Sequence, residues 1–171
     1  MRNSLRLVAV GAALAAASFA TSASAAATAT ATATAEILSS LTLTADSALN
    51  FGQIAPNTGG TVTVNADNTV SQTGGVVWTG TRAPAGFTVT GSNNASVVVT
   101  LPTTASTLYL GGNPAATDTM SLDSFNTDPV GAFQLSGTGQ GNFTVGGRLT
   151  VGANQAAGTY SGTFDVSVEY Q

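Results

Sequence analysis

The chain has 171 residues and a formal net charge of −4 at pH 7, and its four basic residues are all arginines. An acidic chain repels the phosphate backbone, so we expect no nucleic-acid partner. Since histidine, cysteine and lysine are absent, no Ser-His-Asp triad, Cys-His pair or Ser-Lys dyad can form, and the usual zinc ligands are missing. We therefore expect neither enzymatic activity nor a cofactor.

The first predicted element is a cleaved signal peptide over residues 1–25. Arg2 and Arg6 supply positive charge, residues 7–20 are mainly apolar, and Ala23-Ser24-Ala25 has the small-x-small pattern of a signal peptidase site. This apolar run is shorter than the roughly 20 residues that a membrane-spanning helix needs. We expect an exported protein in the periplasm, at the cell surface or outside the cell, with no integral membrane span in the mature chain.

The next segment alternates between small or apolar and polar residues with a period of two, which is typical of a strand. Apolar residues occupy the odd positions from 27 to 45 except Ser39, namely Ala27, Ala29, Ala31, Ala33, Ala35, Ile37, Leu41, Leu43 and Ala45. This run exceeds the usual strand of about 3–10 residues. Either it bends near Ser39-Ser40, or residues 26–36 form an Ala/Thr-rich extension rather than the first strand of the domain.

Shorter alternating segments follow, separated by turn-forming residues such as Gly, Asn, Asp and Pro. The predicted strands are 61–65, 75–81, 86–90, 95–101, 107–110, 119–125, 132–136, 142–151 and 160–170. No segment has the periodicity of a long amphipathic helix. Many short strands with regular turns predict an all-β, antiparallel β-sandwich or barrel, with one domain over residues 37–171.

The last predicted strand has the clearest pattern. Its inward residues are large, and they are Tyr160, Phe164, Val166, Val168 and Tyr170. The strand before it, residues 142–151, alternates in the same way, and the connection over residues 152–157 is short. We expect these two strands to form an antiparallel hairpin.

Three segments of the chain carry a family resemblance. Leu41-Thr42-Leu43, Leu49-Asn50-Phe51-Gly52 and the final stretch from Gly158 to Tyr170 resemble the bacterial secreted family called domain of unknown function 4402. The resemblance covers most of the chain after the signal peptide. It implies export and fold rather than a particular activity.

A more distant resemblance is to chaperone–usher pilins and spore-coat U-like proteins, since Tyr170 is a penultimate aromatic residue and Gly158 is fourteenth from the end. It implies an immunoglobulin-like or pilin-like β-sandwich that serves as a structural or adhesive subunit. Partners would be other copies or other envelope proteins joined by β-strand addition, and a periplasmic chaperone. The candidate donor face is Ala27, Ala29, Ala31, Ala33, Ala35 and Ile37.

The composition of that face leaves alternatives open. Burying one methyl group contributes less than about 1 kcal/mol, whereas burying a Val, Leu, Ile or Phe side chain contributes about 1.5–3 kcal/mol. Residues 26–36 are therefore also interpreted as a spacer or as a strand of their own domain. The lack of cysteine departs from the disulfide that many pilins contain.

Two other features suggest an alternative function, a secreted carbohydrate- or calcium-binding module. Asp118, Asp123, Asn126 and Asp128 lie in one stretch and offer oxygen ligands, although without the spacing of a calcium loop, so a solvated turn is the favoured interpretation. Trp78, the single tryptophan, is interpreted as a core residue, with a sugar-stacking platform as the alternative. A hydrolase using two carboxylates is the least favoured function.

Overall fold

The computed structural model describes residues 26–171, and the predicted signal peptide lies outside them. Residues 26–41 have no regular secondary structure, and thirteen β-strands follow. The strands are β1 (Thr42–Ser47), β2 (Gln53–Ala55), β3 (Gly60–Val64), β4 (Val70–Gly74), β5 (Val77–Thr79), β6 (Ala85–Thr90), β7 (Ser96–Thr100), β8 (Ser106–Leu110), β9 (Thr119–Asp128), β10 (Ala132–Gln134), β11 (Gln140–Val151), β12 (Tyr160–Ser161) and β13 (Ser167–Tyr170). None of the described residues belongs to a helix that is long and apolar enough to cross a bilayer.

The strands form three antiparallel sheets. The largest has eight strands in the order β1-β6-β11-β9-β8-β12, with β3 beside the second half of β11 and β4 beside β3. The other two are β10-β7-β13 and β2-β5. The prediction of an all-β, antiparallel, sandwich-like fold is confirmed.

The core lies between the large sheet and the two small ones. Period-two alternation on β11 buries Phe143, Val145, Leu149 and Val151, as its sequence predicts, while Arg148 is exposed. One cluster joins β3, β9 and β11 to the β2-β5 side, and a second joins β6 and β11 to the β10-β7-β13 side. The longest strand therefore organises the hydrophobic core on both sides.

The C-terminal segment differs from the prediction in its pairing. β12 pairs with β8 in the large sheet, whereas β13 pairs with β7 in a small sheet, so residues 162–166 cross between sheets. The predicted alternation holds, since the inward-facing Phe164, Val166, Val168 and Tyr170 are half-buried and their neighbours are exposed. The predicted hairpin with residues 142–151 is wrong. Both edges of β11 are occupied by β9, β6 and β3, and the inward face of residues 164–168 packs instead against the cluster containing Phe143.

Other differences follow from weak patterns. β2 and β4 were not predicted, because neither has apolar alternation, and they form by pairing with β5 and β3. β9 continues to Asp128, beyond the predicted end of this strand at residue 125. Of the long alternating run from 27 to 45, only its end is in a strand, β1.

Candidate interaction groove

The first side of the candidate site is the open edge of β1. Among residues 26–171 this strand pairs only with β6, on one side, and its register shifts between Ala45 and Ser47. An antiparallel edge strand presents unpaired backbone N–H and C=O groups to its surroundings. β1 therefore offers a template for one more strand.

The second side is the crossing segment at residues 162–166, which belongs to no strand. Between it and the end of β1 lies a groove of about 320 Å³. Core side chains reach into the groove from three strands and two loops, and they are Leu49, Phe51, Ala85, Phe87, Leu108, Leu122 and Phe164. None of the described residues that line the groove is charged, so it suits an apolar, uncharged segment.

A second cavity, of about 470 Å³, adjoins the groove and shares Leu49, Phe51, Leu108 and Tyr160 with it. Its other lining residues come mainly from residues 50–54 and 158–160. Two of the segments that carry the family resemblance, far apart in the chain, therefore meet at this place.

Local contacts explain why Gly158 and Tyr160 occupy these positions. Gly158 has a φ of +152°, and a Cβ there would overlap the side chain of Leu110. The Tyr160 hydroxyl donates to the Ala156 carbonyl at 2.9 Å and accepts from Nε2 of Gln155 at 2.8 Å. Gly158 thus has a packing role in the connection that leads into β12.

Tyr170 joins the two ends of the domain. Its hydroxyl accepts a hydrogen bond from the Ser92 amide at 2.7 Å and donates one to the Ser39 carbonyl at 2.8 Å. The Ser39 amide in turn donates to Oγ of Ser92 at 2.6 Å. The ring packs with the cluster of Val89, Val97 and Leu135. Tyr170 therefore contributes to the packing of its own domain.

The residues predicted as a donor face are available for contact. All six, from Ala27 to Ile37, are exposed, and the Ile37 side chain is 94% exposed. Further along the same alternation, Leu41 and Leu43 are half-buried and pack on the third core cluster. Residues 26–40 thus present their small apolar residues to solvent.

Two of the candidate calcium ligands, Asp123 and Asn126, make hydrogen bonds within the domain. Oδ1 and Oδ2 of Asp123 accept hydrogen bonds from Nε and Nη2 of Arg148 at 2.8 and 3.1 Å. The Arg148 hydrogen bond lowers the pKa of Asp123, and the same contact raises the pKa of Arg148. Oδ1 of Asn126 accepts from the Ala66 amide at 2.7 Å.

Asp118 and Asp128 are exposed at the two ends of β9, so the four candidates are spread along one strand and not gathered in a loop. The interpretation of this stretch as a solvated turn is wrong for residues 119–128, because they form β9 and pair with β11 and β8. Within residues 26–171, no three acidic side chains lie close enough together to hold a metal ion.

Trp78 is half-buried and packs against the core cluster of β3, β9 and β11. The guanidinium carbon of Arg82 lies 3.4 Å from the centroid of its ring. That ring face is covered and is not free for a sugar. This contact could not be predicted from the sequence pattern, because the two residues are not on one strand.

These features describe an all-β domain in which an open strand edge borders an uncharged, apolar groove. The chain belongs to the family described as Domain of unknown function (DUF4402), whose model matches residues 41–170. The match covers the strands of the domain and leaves out residues 26–40, and it confirms the family predicted from the sequence. No curated protein and no solved structure matched the chain significantly, so the distant resemblance to pilins and spore-coat U-like proteins stays a prediction.

Proposed function

We propose that this chain is an exported, non-catalytic structural or adhesive subunit of pilin-like fold that acts at the bacterial envelope or surface by β-strand addition. The observation that carries the proposal is the apolar groove between the open edge of β1 and residues 162–166. The absence of histidine, cysteine and lysine from the whole chain supports a role without catalysis.

An added strand would use both parts of the groove. The unpaired backbone groups of β1 supply main-chain hydrogen bonds, and the apolar floor accepts alternate side chains of the incoming strand. Leu49, Phe87, Leu108 and Phe164 contribute apolar surface that such a strand would remove from water. Strand addition would extend the antiparallel sheet at the edge where it stops.

The strand that we propose to enter the groove is the segment of residues 26–37 of a second copy. It is exposed, alternates with period two, and has Glu36 as its one charged side chain, which suits an uncharged groove. Its alanine methyl groups contribute less than about 1 kcal/mol each, so Ile37 and the backbone hydrogen bonds would supply much of the affinity. We therefore expect reversible assembly. Other envelope proteins, or a periplasmic chaperone, would use the same groove.

A complementation experiment tests the proposal. One variant lacks residues 26–36 and keeps the groove, and the other carries Ala48→Arg, which places a charge at the exposed groove wall and keeps the extension. We expect each variant alone to be monomeric by sedimentation, while their mixture forms a heterodimer. Ser121→Arg is the matched control, because Ser121 is exposed on β9 and does not line the groove.

Two results would contradict the proposal. If Ala48→Arg assembles as well as the control Ser121→Arg, the groove is not the site of assembly. If the full chain stays monomeric at millimolar concentration, a second copy is not the partner. Export is tested separately, since the mass of the protein recovered from outside the cytoplasm should correspond to an N-terminus near Ala26.

A further inference from the structure

The contact between the side chains of Trp78 and Arg82 is a feature of the domain that the proposed strand addition does not use. Three of their hydrogen-bond donors, Nε1 of Trp78 and Nε and Nη1 of Arg82, are buried without a partner among the described residues. Buried donors in folded proteins are almost always paired, and an exception requires an explanation. Three such donors in one contacting pair leave its polar groups and its positive charge without compensation within residues 26–171.

The charge on Arg82 strengthens this argument. Residues 26–171 contain two cations, Arg82 and Arg148, against eight acidic residues. Arg148 is paired with Asp123 at 2.8 Å, whereas in this part of the chain no carboxylate lies within ion-pairing distance of Arg82. A half-buried guanidinium without a counter-ion is unfavourable, because a buried charge needs both an opposite charge and hydrogen-bond acceptors.

The geometry also leaves one approach open. Nη2 of Arg82 is not among the buried, unpaired atoms, and it makes no hydrogen bond in the described residues, so this end of the guanidinium reaches solvent. The guanidinium carbon lies 3.4 Å from the centroid of the Trp78 ring, which covers one side of the group. A carboxylate oxygen that approaches from solvent can accept a charge-assisted hydrogen bond from Nη2, and its negative charge would compensate the guanidinium.

We propose that Arg82 and Trp78 form a binding site for a carboxylate group, with Arg82 as the anion ligand and Trp78 as the platform that fixes its orientation. The carboxylate comes from a free organic acid or from an acidic side chain of another molecule. The site lies beside the Asn-Phe-Gly segment, since a Cβ on Gly52 would lie 3.3 Å from Cγ of Arg82. This proposal does not depend on strand addition.

The test uses Trp78 as its own reporter, because the chain has a single tryptophan. The full chain is titrated with sodium acetate against sodium chloride at equal ionic strength, while tryptophan fluorescence and the indole N–H resonance are recorded. We expect a saturable change with acetate, and at least a tenfold weaker apparent affinity in Arg82→Gln. Arg148→Gln is the matched control, since it removes the other arginine, and it should respond as the unaltered chain does.

The wild-type titration decides the proposal even where Arg82→Gln does not fold. An indole resonance that moves no further in acetate than in chloride overturns it, which is also the result expected if a water molecule satisfies these donors. An equal response in Arg82→Gln and in the unaltered chain overturns it as well. To separate the two sources of carboxylate, the resonance is followed during dilution without acetate. A shift with protein concentration assigns the carboxylate to a second copy, and its absence assigns it to a free acid.

Discussion

The two ends of the described chain alternate with the same period of two, but only the C-terminal end packs into the domain. Residues 160–170 alternate between polar residues and Tyr, Phe and Val, and the inward side chains from Phe164 to Tyr170 pack against the three core clusters. Residues 27–37 alternate just as regularly between alanine and threonine up to Ala35, and they are exposed and pair with no other part of the described chain. Period two therefore shows that a segment can form a strand, while side-chain size determines whether its own domain buries it.

The comparison also explains how the groove arises. The C-terminal segment leaves the large sheet after β12 to join β7, and no strand of residues 26–171 fills the space between it and β1. The N-terminal segment has the period of a strand and is not part of any sheet that the described residues form. The domain thus has an edge, at β1, where a further strand can pair, and an N-terminal segment with the sequence period of a strand that the described sheets do not include.

The largest effect is expected at Phe164. Its ring lies 5.0 Å from that of Phe125 and 6.5 Å from that of Phe87, between the centroids, and it joins two core clusters. Phe164→Ala should lower the free energy of unfolding by about 3 kcal/mol, as deletion of a large core side chain does. Denaturant unfolding measures it, with the exposed Thr163→Ala as control. A loss below about 1 kcal/mol would show that the C-terminal alternation is not packed as described.

A smaller effect is expected at Tyr170. Tyr170→Phe keeps the ring and removes the hydrogen bonds with Ser92 and Ser39, so it should cost about 1–2 kcal/mol. Tyr170→Ala should cost more, because it also empties part of the third cluster. Thermal unfolding of both variants separates the contributions. If both purified variants are as stable as the unaltered chain while their exported yield falls, the residue acts in export and not in packing.

A still smaller effect depends on pH. The hydrogen bond from Arg148 lowers the pKa of Asp123, so its contribution to stability is present above the unfolded-state pKa of about 3.9 and is lost as the pH falls through the folded-state value. Asp123→Asn should reduce the melting temperature slightly at pH 6 and hardly at all at pH 2. An equal reduction at both pH values would assign the effect to packing instead of charge.

The smallest effect is expected for the extension. Deletion of residues 26–35 should change the free energy of unfolding of the monomer by less than about 0.5 kcal/mol, because these residues are exposed and outside the strands. Glu169→Ala, at an exposed position of β13, should fall in the same range. A large loss of monomer stability on deletion would mean that the extension is a strand of its own domain, and the contrast between the two ends would fail.

The sequence predicted the elements with strong alternation of large side chains. β6, β7, β8 and β11 lie within one or two residues of their predicted bounds, because Val, Phe or Leu at every second position leaves one face to bury. β2 and β4 have no such face, and they exist because a neighbouring strand supplies the hydrogen bonds. The residues of a short strand carry little information about a pairing that a neighbouring strand imposes.

The groove was beyond sequence prediction for a different reason. Ala48, Phe87 and Gly162 approach one another only because residues 162–166 cross between sheets, and the competition among strands for the edges of β11 decides that crossing. The one signal in the sequence was the resemblance shared by residues 49–52 and 158–170. These segments meet at the groove and at its adjoining cavity.

Disulfide trapping between copies tests the central proposal most directly. Because the chain contains no cysteine, only the introduced thiols can form a disulfide. Ala31→Cys places a thiol in the extension, and Ala48→Cys places one at the groove wall. A disulfide forms where the two Cα atoms approach within about 7 Å. On mixing and mild oxidation, we predict that the mixed disulfide forms in excess over either homodimer, and that Ser121→Cys on the outer face of β9 does not replace Ala48→Cys. Equal trapping by Ser121→Cys, or no mixed disulfide with Ala48→Cys, would contradict strand addition at this groove.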